Sequence, residues 1–140
     1  MDNETHVRLL GEATGRSQQL ELCTTQLLAR GLSISESSAR LLTNAMGEHG
    51  ALAVLQALAD RKECGGLDAS ALVAWLKKAK AANQARNRVI HSPWIRREGD
   101  GEAGFVLTKG SMRLEPRTEN DLRHDISALT AAVVGALELL

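Results

Sequence analysis

The residues of this chain best suited to chemistry fall in one segment, Asn83-Gln84-Ala85-Arg86-Asn87-Arg88-Val89-Ile90-His91-Ser92-Pro93-Trp94. On a helix, Asn83, Asn87 and His91 recur every fourth residue and form one polar stripe, with the long Arg86 side chain beside it. An imidazole carries a proton near neutral pH, an amide can orient it, and a guanidinium grips phosphate through paired donors. Metal-free RNA cleavage needs those groups. The ribose 2′-hydroxyl attacks the adjacent phosphorus, so a proton carrier and a charge stabiliser suffice. The plainer reading of the same residues is a helix C-terminus, with His91 meeting the dipole and Arg86 pairing with an acid.

Charge alone suits a solvated helix face, and it counts toward the first reading because the basic run coincides with the motif. The formal net charge is zero, yet the bases are unevenly spread. Residues 1–67 hold six bases against eight acids, and residues 98–140 hold four against eight. Between Ala69 and Arg97 lie seven bases and no acid: Lys77, Lys78, Lys80, Arg86, Arg88, Arg96 and Arg97. A basic segment within a neutral chain points to a phosphate-bearing partner. Lys80, Asn83 and Arg88 are therefore candidate RNA contacts, beside the candidate catalytic set Arg86, Asn87 and His91.

Arg86-Asn87, three residues and then His91, near the end of a late helix in a small helical protein, resembles the HEPN superfamily motif. In that motif four to six residues separate an arginine, often followed by a polar residue, from a histidine. The resemblance implies a mostly helical domain that pairs as a homodimer, with the two motifs facing across a two-fold axis. It implies a metal-independent endoribonuclease, leaving cyclic phosphate ends, from a toxin–antitoxin or phage-defence system. An antitoxin or nucleotidyltransferase partner goes with that setting. By the same resemblance Arg86 and His91 are catalytic and Asn87 supports them. Arg117 and His124 also satisfy the bare spacing, but that pair starts in a turn and lacks the polar follower. The rival function is a non-catalytic helical module that binds a nucleotide or a partner in the same cleft.

The elements that position the motif can be read from periodicity. Asp2 or Asn3 caps a first helix to about Arg30, ended by Gly31, with Val7, Leu10, Leu20, Cys23, Leu27 and Leu28 at helical spacing. Ser35 or Ser37 caps a second helix, broken around Gly47 and Gly50 and resumed over Ala51 to Arg61. Asp68 caps the motif helix, which Pro93 ends near His91 or Ser92. Trp94 to Glu98 and Gly104 to Thr108 flank a turn-rich stretch and read as a hairpin, with a third short strand over Met112 to Glu115. Thr118 with Asp121 forms a capping box opening a last apolar helix, placed in the core, in a dimer contact or in both. The predicted fold is mainly α. It is a bundle of four to five helices forming one domain over residues 1–140, with a β excursion at about 94–115 between the last two.

Composition fits. The chain has 140 residues, 44% hydrophobic and 2% aromatic, too few rings for a sheet that stacks bases. Cys23 and Cys64 cannot build a disulfide framework, and read as reduced thiols with some burial. The histidines His6, His49, His91 and His124 show no zinc spacing, so no metal or cofactor is implied. His6, His49 and His124 read as surface or capping residues. The acidic N-terminus does not resemble a signal peptide, and the longest apolar run is short for a bilayer, which predicts a cytoplasmic protein without membrane contact.

Overall fold

A computed structural model describes residues 1–90, 94–95, 104–108 and 113–140. Four helices, α1 (Asn3–Leu32), α2 (Glu36–Asp60), α3 (Ala69–Ile90) and α4 (Glu119–Leu139), carry the domain. Strands β1 (Trp94–Ile95), β2 (Gly104–Thr108) and β3 (Arg113–Arg117) form an antiparallel sheet in the order β1-β2-β3. Trp94 lies opposite Val106, and Thr108 opposite Arg113. The mainly α bundle with a β insertion before the last helix is thus as predicted. The third strand runs two residues past its expected end at Glu115, with Pro116 opposite Phe105.

Helix ends follow side-chain capping. The Asp2 carboxylate accepts the Thr5 amide at 2.8 Å. The Ser35 hydroxyl accepts that of Ser38, and an Asp68 oxygen accepts that of Ala71. Thr118 and Asp121 form the expected reciprocal box, which satisfies donors that a helix start leaves unpaired. Hydrogen bonding to Thr118 holds the Asp121 carboxyl below the usual range.

One boundary differs from the sequence reading, while the expected break at Gly47 is present. α1 does not stop at Gly31; it runs to Leu32, and Ser33 takes the left-handed cap conformation with φ 56°. Gly31 is buried, and a β-carbon there would sit 3.3 Å from Leu58, so its role is close packing. α2 is a single element only in name, because Gly47 breaks it with φ 74° and ψ 177°, a backbone state favouring glycine. There the chain turns back. α2 leaves the end of α1, reaches Thr24 at Glu48, and by Leu58 is again beside Gly31.

α3 and α4 pack antiparallel to each other, α4 along α1 and α3 also against α2. The buried Trp75 indole donates to the Ala132 carbonyl at 2.8 Å, while Arg88 near the end of α3 meets Asp125 near the start of α4. The Arg30 guanidinium reaches the Leu140 carbonyl at 2.5 Å, tying the C-terminal ends of α1 and α4. The core is aliphatic: Leu9, Leu20, Leu27, Leu28, Leu55, Leu72, Leu76, Leu122 and Leu129 are almost wholly buried. Val7, expected on the core stripe, is 60% exposed, and Leu9 takes that place. α4 contributes Leu122, Ile126, Leu129 and Val133 to the core but leaves Val134 and Leu137 exposed. Both cysteines are free and buried. Among the described residues no helix is long and apolar enough to cross a membrane.

Candidate functional site

The last two turns of α3 present the motif. A helix advances about 100° per residue, so positions two apart face nearly opposite ways. Arg86 accordingly faces α1, where its guanidinium meets a Glu21 carboxylate oxygen at 2.5 Å. Arg88 faces α4, where it donates to Asp125 at 2.8 Å. Asp125 is buried and also binds the Arg117 guanidinium from β3. One acid thereby joins the motif helix, the insertion and α4.

The other candidates are distributed along the same helix. Asn83 is half-buried and Asn87 exposed. Lys80 is exposed and donates to Gln56 of α2 at 3.0 Å. His91, with Ser92 and Pro93, lies outside the described residues. Trp94 is half-buried against the core, and its indole donates to the Val89 carbonyl at 3.0 Å. That bond occupies a carbonyl that the helix end leaves free, so Trp94 closes the end of α3. His6 packs against it at a tilt of 56°, with ring centroids 5.0 Å apart.

Arg86 opens into a cleft of about 410 Å³ at the corner of α2. Glu21 and Thr25 of α1, and Arg40, Thr43 and Glu48 of α2, share its walls. Two threonine hydroxyls, Thr25 and Thr43, are 3.1 Å apart. The wholly buried Thr24 donates its hydroxyl to Glu48 at 2.6 Å. Arg86 binds Glu21 through Nη2, and its buried Nε has no acceptor among the described residues. A buried donor left in that state is uncommon in a folded protein.

Burial pushes the Glu48 carboxyl up to about 7. The Thr24 hydroxyl opposes the rise, the Glu21 charge adds to it and the Arg86 charge offsets it. Burial, with the Glu48 charge, also raises the Cys23 thiol. The elevated Glu48 value has a definite consequence for stability. The folded state holds this proton more tightly than the unfolded chain, whose ordinary value is 4.5. Its contribution is complete below about 4.5 and lost as pH climbs through about 7. Between pH 5 and pH 8 the loss is about 2–3 kcal/mol. Urea unfolding at pH 5 and pH 8 is expected to show this decline in the native chain and a flatter profile in Glu48→Gln. Equal pH slopes for the two proteins would contradict the burial argument.

The sequence reading placed Arg86 at the site but missed its surroundings. Glu21, Arg40 and Glu48 were read only as charges on their helices. The available signal was Glu48 directly after Gly47, at a break the sequence did reveal. Among the described residues, no three His, Cys, Asp or Glu side chains cluster to hold a metal ion. Comparisons with protein-family models, with curated proteins and with solved structures gave no match to the chain.

Proposed function

We propose that this protein is a metal-independent endoribonuclease of the HEPN type, working as a cytoplasmic homodimer within a toxin or phage-defence system. The observation that carries the reading is the state of Arg86. Its guanidinium stands in a cleft at the end of the motif helix, held by a single half-exposed carboxylate and with one donor unused. Such a pair is weak in water, so an RNA phosphate can take the place of Glu21.

In the proposed reaction the 2′-hydroxyl attacks the neighbouring phosphorus and the 5′-oxygen leaves, giving a 2′,3′-cyclic phosphate and a 5′-hydroxyl. His91 moves the proton, Arg86 stabilises charge on the phosphoryl oxygens, and Asn87 orients one of them. The exposed Lys80, together with Asn83 and the open edge of Arg88, supplies backbone contacts. An antitoxin or nucleotidyltransferase is the partner class that fits this reading.

A second reading has an observation of its own. The cleft walls are built by α1, α2 and Arg86, a construction that suits a non-catalytic nucleotide-binding or partner-binding module. Incubating purified protein with RNA in the presence of EDTA separates the two. The enzyme reading expects cleavage with cyclic phosphate ends, lost in both Arg86→Ala and His91→Ala. RNA binding without turnover would leave only the module.

A further inference from the structure

The cleft holds a second cation that the motif does not include. Arg40, in the first half of α2, lines the same walls as Arg86, is exposed, and makes no ion pair among the described residues. Two arginines from different helices therefore line one space, and among the described residues only Arg86 is paired with a carboxylate. Glu21 occupies the position on Arg86 that a phosphate oxygen would take, since carboxylate and phosphate accept the same paired donors. Burial raises the Glu48 carboxyl, which weakens one of the two negative charges that border the arginines. About 410 Å³ lies within the range of small-molecule sites. Leu22, 49% exposed, offers an apolar wall, and Gln18 and Asn44 offer amides to a polar ring edge.

We infer that the α2-corner cleft is a nucleoside-phosphate site in which Arg40 anchors the phosphate together with Arg86, and Glu21 is an internal carboxylate that the phosphate displaces. The inference rests on the phosphate-binding role proposed for Arg86 and extends the site to residues outside the motif. The nucleoside lies against Leu22, and the hydroxyls of Thr25 and Thr43 border the phosphate.

The test is an NMR titration of the full chain at pH 6.5 with adenosine 5′-monophosphate and, in parallel, inorganic phosphate. The nucleotide is expected to bind about tenfold more tightly than phosphate. Arg40→Ala is expected to weaken nucleotide binding about tenfold, as removal of one charged hydrogen-bond donor does. Glu21→Gln is expected to strengthen it severalfold, because the competing charge is gone. Arg40 is exposed, so its variant should keep the native spectrum, which the same experiment verifies. An Arg40→Ala protein that binds like the native chain overturns the inference, as does a nucleotide that fails to bind. Equal affinity for phosphate and nucleotide overturns the nucleoside assignment. The readout is independent of catalysis: nucleotide binding without RNA cleavage would remove the ribonuclease reading and leave this one. Cleavage with nucleotide binding indifferent to Arg40 and Glu21 would do the reverse.

Discussion

Arg86→Ala is expected to lower the rate of RNA cleavage about 10²–10³-fold, the usual consequence of removing one preorganised donor from a developing oxyanion. Its cost to folding should be small by comparison. The partner Glu21 is 47% exposed, and an ion pair open to water contributes about 0–1 kcal/mol. A steep loss of rate with a nearly unchanged urea midpoint is therefore the diagnostic combination. Arg86→Lys keeps the charge but not the planar fork of donors, and should recover only part of the lost rate. Single-turnover cleavage of a labelled RNA, with unfolding measured on the same preparations, checks both halves. If the rate falls only in proportion to the unfolded fraction, Arg86 is a packing residue and the assignment fails.

The second large effect concerns stability and lies on the opposite flank of the motif helix. Asp125→Ala is expected to destabilise the fold by about 3 kcal/mol, because removing one member of a buried ion pair leaves its partner charge without compensation. Two arginines lose their acceptor at once, Arg88 and the largely buried Arg117. In a chain of this length the midpoint of thermal unfolding should drop by about 10 °C. Asp125→Asn retains an acceptor oxygen and should fall between the two. A variant that unfolds within about 0.5 kcal/mol of the native chain would show that the cluster contributes nothing.

Why Asp125 escaped the sequence reading is instructive. It stands three residues after Leu122 and four before Leu129, so it lies on the apolar stripe of α4. An acid on such a stripe needs a buried cation, and that spacing was available. Its partners were not: Arg88 comes from 37 residues away, and Arg117, although only eight residues upstream, precedes the helix and lies outside its periodicity. The four helices, their side-chain caps and the β insertion were legible because each depends on local pattern. The misplacements at Gly31 and Val7 arose where packing decided between neighbours: Gly31 is needed beside Leu58, and Leu9 points inward where Val7 does not. The facing of Arg86 follows from helical geometry, whereas the carboxylates around it come from sequence positions 38 and 65 residues away.

The opposite attachments of Arg86 and Arg88 also bear on how any ligand is admitted. The carboxylate that holds Arg86 is half-exposed and, among the described residues, makes no other contact to an arginine, while the one that holds Arg88 is buried and shared with a third element. When an incoming anion withdraws Arg86 from Glu21, the adjacent turn stays fastened to α4. For the proposed phosphate ligand this restricts the required change to the Arg86 side chain, because Arg88 keeps the last turn of α3 tied to α4.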